Sequence, residues 1–170
     1  MSEAESAISL RLATMEDARM VFFWRNDPFI VARGSSQKTV TWEEHLLWFR
    51  STVNGSGRKM FIVLAKGNPV GQVRFDRVNH ETCAISAYLI REFTGRGLGV
   101  EAIRKGCDAL FSEWSVSTIV ACVREDNVSA RAGFLKAGFM EAAEVGLCSA
   151  YHFTLLLRRD VPRDVEGERT

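Results

Sequence analysis

Apolar and polar residues alternate with a period of two near the start of the chain, where Ile8, Leu10 and Leu12 interleave with Ser9 and Arg11. This pattern predicts a half-buried first strand. The period then lengthens. Thr14 and Asp17 form a capping-box-like start, and Ala18, Val21, Phe22 and Trp24 recur at helical spacing. That helix is expected to stop near "RNDP", because Pro28 disfavours a helical residue before it. A second helix is expected from Thr41, paired with Glu44 in a Ser/Thr-x-x-Glu box, to about Val53, where "NGSG" breaks it; Trp42, His45, Leu46 and Phe49 share its apolar face.

Three strand-like runs follow, "KMFIVLA" (59–65), "VGQVRFDRV" (70–78) and "TCAISAYLI" (82–90), separated by the turns "KGNP" and "NHE". They read as an antiparallel meander. A helix from about Gly97 to Trp114, a strand at 117–123, a helix opened by Asp126 or Asn127 and closed near Gly138, and strands at about 139–146 and 150–157 complete the pattern. The charged run 158–170 is expected to fray. No repeat, low-complexity tract or linker divides the chain, so residues 1–170 read as a single domain with its core in 8–157.

Composition agrees with one sizeable core, since 170 residues are 46% hydrophobic. Lys+Arg 22 against Asp+Glu 21 leaves a formal charge of +1, too little for a field that would gather nucleic acid or an acidic membrane. No run approaches the roughly 20 apolar residues of a membrane span, and "MSEAESAISL" lacks a basic leader region. Cys83, Cys107, Cys122 and Cys148 are widely spaced with no CxxC pair, which argues against a metal site and suggests buried free thiols in a reducing cytoplasm.

The chemistry gathers around "GRGLG". Gly95, Gly97 and Gly99 lack the third glycine of a dinucleotide fingerprint, and no G-K-S/T follows as a P-loop requires. What remains is a glycine turn between a strand and a helix. Its backbone N–H groups and the helix dipole suit a phosphate, while tight packing of the corner explains the glycines equally well. On the strand at 70–78, Gln72, Arg74 and Asp76 share one face, and Ser86 and Tyr88 share a face of the next strand. Such a cluster suits a hydroxylated substrate; a merely solvated face is the plainer alternative.

The parts "AYLI", "TGRGLG", "IVACVREDN" and "VSARAGFLKAGF" together resemble the GNAT family of N-acetyltransferases over residues 8 to about 157. The resemblance implies an α/β fold of the α+β kind. Its mixed, mostly antiparallel sheet of about seven strands would be flanked by about four helices and splayed between strands 4 and 5. It implies acetyl-coenzyme A as donor. Backbone groups of Tyr88, Leu89 and Ile90 would pair with the pantetheine arm; Gly95, Arg96, Gly97, Leu98, Gly99 and Val100 would cradle the pyrophosphate; Asn127 would bond the pantetheine. Thr94 stands where the family has Arg or Gln.

Two catalytic residues common in the family are absent, because Ala84 occupies the glutamate position and Phe134 the tyrosine position. His45, Asp76, Ser86 and Tyr88 are the substitutes for proton transfer and orientation, with Ser129 a further acid near the thiolate. "WRND", "HLLWF" and "GQVRFD" resemble a subgroup that acetylates the 4-amino group of a UDP-linked amino-dideoxy sugar for pseudaminic acid. A neighbouring subgroup, acting on ribosomal-protein N-termini, shares "WRND"-like text. By the resemblance, Trp24, Arg25, Asn26, His45, Arg74, Asp76 and Tyr88 would meet the acceptor. A protein that binds acetyl-coenzyme A without catalysis, and a purely structural domain, stay open, as do monomer and homodimer.

Overall fold

The computed structural model describes residues 7–143, 146–148 and 152–159. Seven strands form one sheet: β1 (Ile8–Leu12), β2 (Arg58–Ala65), β3 (Asn68–Arg77), β4 (Thr82–Leu89), β5 (Thr118–Arg124), β6 (Met140–Glu141) and β7 (His152–Arg158). Their order is β1-β2-β3-β4-β5-β7-β6. Every pairing is antiparallel except β4 with β5. The helices are α1 (Ala18–Asn26), α2 (Pro28–Arg33), α3 (Trp42–Asn54), α4 (Leu98–Glu113) and α5 (Val128–Lys136), with single 3-10 turns at Met15–Asp17 and Arg91–Phe93.

Both capping boxes form. Thr41 accepts from the Glu44 N–H while Glu44 accepts from the Thr41 N–H at 2.9 Å. Asp17 accepts from the Thr14 N–H at 2.9 Å and is forked by the Arg11 guanidinium through two bonds of 2.8 Å. The Arg11 bonds, reinforced by the Thr14 N–H, hold the Asp17 carboxyl below its ordinary pKa against the opposing effect of burial.

Period-two patterning sorts the sheet into two faces. Val63, Val73, Phe75, Cys83, Ile85 and Ile119 pack with Ile103, Cys107 and Leu110 of α4 in the larger core. On the opposite face Met60 and Ile62 pack with Ala18, Val21 and Phe49 from α1 and α3. Burying one such large apolar side chain contributes about 1.5–3 kcal/mol. Because α1 and α3 cover β1 and β2, the same face of β3, β4 and β5 is left to form a cleft.

Three expectations need correction. The helix expected to stop near "RNDP" does so, α1 ending at Asn26 with Asp27 extended, but Pro28 then opens the unforeseen α2 at its first position, where its missing N–H costs nothing, and Asp27 caps that helix by accepting from the Phe29 N–H at 2.9 Å. Helices therefore number five, not four. The strand expected at 139–146 is only Met140–Glu141, and 144–145 and 149–151 lie outside the described residues. Of the expected tail, Arg158 ends β7 and Arg159 donates from its N–H to the Ser117 carbonyl and from its guanidinium to that of Trp114; 160–170 lie outside the described residues. No described helix is long and apolar enough to cross a membrane.

His45 is a core residue. It is 2% exposed, surrounded by the rings of Phe22, Trp42, Trp48 and Phe49, and its Nε2 donates to the Ala18 carbonyl at 2.7 Å. It does not line the cleft. The expectation that it takes a proton or meets the acceptor is therefore overturned. Burial lowers its pKa below the ordinary 6.5, with Arg25 acting the same way and the Ala18 bond opposing. A histidine kept neutral in the fold binds fewer protons than in the unfolded chain, so stability falls as pH drops through about 6.5. Chemical denaturation between pH 8 and 5.5 is expected to show that loss, and His45→Phe, which cannot titrate, to flatten it.

Candidate active site

β4 and β5 pair only from Thr82↔Thr118 to Ile85↔Ala121, although β4 runs on to Leu89 and β5 to Arg124. On its other edge β4 stays paired with β3 up to Gly71↔Leu89. The segment Ser86–Leu89 thus presents an unpaired backbone edge toward the gap. Gly71 keeps β3 tight against this segment: a Cβ there would stand 2.2 Å from the Tyr88 carbonyl oxygen and 2.9 Å from the Leu89 Cα. A cleft of about 840 Å³ opens where the strands part.

One side of the cleft is the glycine loop and the start of α4. Thr94, Gly95, Gly97, Gly99 and Val100 line it, with Asn127, Ser129, Phe134 and Lys136 from the α5 region. Gly95 and Gly97 have φ of +74° and +76°, left-handed values that favour glycine. Gly97 caps α4 with no side-chain bond to the helix, and the first helical bond runs from the Glu101 N–H to the Gly97 carbonyl. The N–H groups of Leu98, Gly99 and Val100 therefore lie before the intrahelical ladder, at the positive end of a 16-residue helix. The geometry suits a phosphate.

The side chains of this loop are less engaged than its backbone. Arg96 and Leu98 do not line the cleft; Arg96 stacks over Phe93 at 5.6 Å and Leu98 packs against the core. Thr94 turns its Oγ1 back to donate to the Arg91 carbonyl at 2.7 Å. The Ile90 N–H donates to Val70, so it is spent on β3 and not directed to the gap, contrary to expectation. Asn127 caps α5 through Oδ1, which accepts from the Ala130 N–H at 3.2 Å and the Ser129 hydroxyl at 3.3 Å; this leaves its Nδ2 donors for a ligand.

The other side is built on β3 and β4. The register sets Gln72 opposite Tyr88, Arg74 opposite Ser86 and Asp76 opposite Ala84, and directly opposed residues share a face. All six line the cleft. Asp76 is held between two guanidiniums: Oδ1 accepts from Arg58 Nε and Oδ2 from Arg74 Nε, each at 2.9 Å. A carboxylate so engaged is a better brace for Arg74 than a base. Tyr88 is half-buried with its ring edge-on to Trp24 at 6.4 Å between centroids. Burial raises the Tyr88 pKa, with Arg74 and Arg25 opposing more weakly, so the phenol stays protonated at neutral pH and donates.

Trp24, Arg25 and Asn26 do not line the cleft themselves. Arg25 donates to the Lys38 carbonyl at 2.9 Å and the Ser36 hydroxyl at 3.1 Å, and Asn26 exchanges two bonds with the Val40 backbone. They fix the segment after α2, whose Gly34 and Ser35 line the cleft with Phe29 and Arg33. Sequence patterning missed these four because α2 was unforeseen. It also missed Arg124, Cys122 and His152, which enter through the β5–β7 pairing of Arg124↔His152 and Cys122↔Thr154.

Cys122 is not a free thiol. It forms a disulfide with Cys148, with Cα atoms 5.4 Å apart, tying the segment before β7 to the β5 wall of the cleft. The expectation of four free thiols is corrected; Cys83 and Cys107 are the free, buried pair. Burial pushes the Cys83 thiol up to about 12, and the Cys107 thiol is raised likewise, so both are inert packing groups.

Residues 8–140 match the model of the acetyltransferase (GNAT) domain. The chain belongs to the GNAT acetyltransferase family. It is 27% identical over 112 residues to the acetyltransferase PseH of Campylobacter jejuni serotype O:2, covering 66% of this chain and 69% of that protein. In fold it resembles the aminoglycoside acetyltransferase AAC(6')-Ib solved with ribostamycin and coenzyme A, with a TM-score of 0.80 at 19% identity over 96% of this chain and 100% of the other. It also resembles the Vibrio cholerae spermidine N-acetyltransferase solved with coenzyme A and spermine, with a TM-score of 0.76 at 19% identity over 89% and 94%. As a GNAT member it is an N-acetyltransferase whose acyl donor is acetyl-coenzyme A.

Proposed function

We propose that the protein acetylates the 4-amino group of a UDP-linked amino-dideoxy sugar, as in the pseudaminic acid route. The observation that carries this reading is the charge of the acceptor face. Arg33 and Arg74 line it, against Asp76 as the one carboxylate among the described lining residues of the cleft, and two arginines already engage Asp76; Arg124, on the β5 wall, is paired with Asp126. A polyamine or aminoglycoside is a polycation and needs carboxylates to bind; an arginine-rich wall favours an anionic acceptor such as a nucleotide diphosphate. The likeness to the acetyltransferase PseH supports the same direction.

Acetyl-coenzyme A supplies an activated thioester carbonyl. In the proposal, the free edge of Ser86–Leu89 holds the pantetheine arm by strand-like pairing, the N–H groups at the start of α4 hold the pyrophosphate, and Asn127 Nδ2 bonds the arm. The amine nitrogen attacks the carbonyl carbon, the C–S bond breaks, and the proton lost by nitrogen balances the one gained by sulfur. With Ala84 and Phe134 at the usual catalytic positions, positioning supplies most of the acceleration and Tyr88 is the protonated donor on the acceptor face.

Offering a UDP-4-amino-dideoxy sugar, spermidine, kanamycin and a peptide α-amine in parallel, read by mass spectrometry, tests the acceptor. Acetylation of the UDP sugar at least tenfold faster than of the polycations is expected. Transfer to the peptide amine with none to the sugar would replace this reading by N-terminal acetylation, and tight acetyl-coenzyme A binding with no transfer at all would indicate a non-catalytic binder.

A further inference from the structure

The Cys122–Cys148 bridge lies where the cleft begins. Ile85↔Ala121 is the last pair joining β4 to β5, so Ser86 and Cys122 are the first residues beyond the fork, one on each strand. Ala84 and Val120 are register partners, and residues two apart on a strand share a face, so Cys122 stands on the face of Ala84, Ser86 and Tyr88. Cys122 lines the cleft and is exposed, whereas Cys148 is only 8% exposed. Of the two bridged residues, Cys122 is thus the one open to a molecule in the cleft. The other end of the free β4 edge fixes the direction of such a molecule. Gly99, in the first turn of α4, lies beside Leu89: a Cβ there would stand 3.9 Å from Leu89 Cδ1. The free N–H groups of α4 are therefore at the Leu89 end of the edge, and the fork is at its Ser86 end. An arm paired along Ser86–Leu89 from a pyrophosphate at α4 brings its sulfur to the fork, beside Cys122.

We propose that Cys122 is a thiol-exchange site for coenzyme A. A thiolate attacks one sulfur of a disulfide and expels the other, leaving a mixed disulfide. Here Cys122 Sγ takes up the sulfur of coenzyme A that acetyl transfer has set free. The Cys122–Cys148 bond breaks, and Cys148 leaves with its electron pair and gains the proton that the coenzyme A thiol lost. One disulfide replaces another, so the step needs no outside oxidant or reductant. The sulfur of acetyl-coenzyme A is acylated and does not react, so the exchange is selective for the product. The mixed disulfide keeps the donor seat filled and stops turnover. Return attack by Cys148 restores the bridge and releases coenzyme A. The proposal rests on the reading of the β4–β5 gap as the coenzyme A seat, and it is independent of which amine is the acceptor.

The test uses the wild-type protein with its bridge intact and no reductant present. It is incubated with coenzyme A, quenched in acid and weighed whole by mass spectrometry. A mass gain of one coenzyme A is expected, saturating with coenzyme A concentration and removed by dithiothreitol, with peptide mapping placing it on Cys122. It is expected to form at least tenfold faster than the adduct of pantetheine, which carries the same thiol without the pyrophosphate. Desulfo-coenzyme A, which has no thiol, reads the seat alone by isothermal titration. If it fails to bind, the reading of the gap is wrong and the exchange falls with it. If it binds and coenzyme A still gives no adduct, the seat stands, the bridge is only a brace, and the exchange is overturned. An adduct formed as fast from pantetheine, or mapped to Cys83, Cys107 or Cys148, would also overturn it.

Discussion

Gly97→Val is expected to weaken acetyl-coenzyme A binding at least tenfold. The residue sits at φ +76°, where a β-branched side chain is strained by about 1–3 kcal/mol, and relief of that strain requires the chain to leave the left-handed region. Gly97 is also the residue from which α4 departs, so such a shift turns the N–H groups of Leu98, Gly99 and Val100 away from one focus. No atom stands within 4 Å of where its Cβ would be, so the loss comes from backbone direction and not from a clash with the core. Isothermal titration with acetyl-coenzyme A, beside a thermal melt showing that the fold persists, checks it. A dissociation constant unchanged within twofold would mean that the loop serves only the strand-to-helix corner. Thr94→Arg offers the converse: it restores the family's side chain at the head of the loop, loses only the Thr94–Arg91 turn bond, and is expected to tighten binding.

Tyr88→Phe is expected to lower kcat by about a hundredfold, the scale of one positioned proton donor, with the dissociation constant of acetyl-coenzyme A nearly unchanged. The ring keeps its place against Trp24, since that contact is edge-on and involves no hydroxyl. What the substitution removes is a phenol kept protonated by burial, in a site where Ala84 and Phe134 offer no ionisable group. Because burial raises the Tyr88 pKa, the wild-type rate should show no fall attributable to this residue on the alkaline side up to about pH 9. Stopped-flow turnover at saturating acetyl-coenzyme A measures it. A loss below about fivefold would leave positioning by the cleft as the whole of the mechanism.

Much of this was legible in the chain because it depends on local periodicity. The meander β2–β3–β4 follows from alternation and two turns, and α3 from the Thr41/Glu44 box, whose bonds both form. The glycine spacing located the turn before α4, where Gly95 and Gly97 take positive φ. Pro28 marked the end of α1, but that it also begins α2 depends on Asp27 capping the new helix, which periodicity does not encode. His45 misled for a tertiary reason: its helical face was read correctly, but only the fold brings the Ala18 carbonyl to Nε2 and a shell of rings around it. The Cys122–Cys148 bridge and the Arg124↔His152 wall arise from β5–β7 pairing across a long separation, which spacing does not encode.

The central claim is that the gap between β4 and β5 is the seat of acetyl-coenzyme A, with the Ser86–Leu89 edge acting as half of a strand pair. Amide hydrogen exchange with and without coenzyme A tests it most directly. Slowed exchange confined to Ser86–Leu89 and to Leu98–Val100, with β2 and α3 unchanged, is the expected result. Saturating coenzyme A that leaves both segments exchanging at their free rates would contradict it.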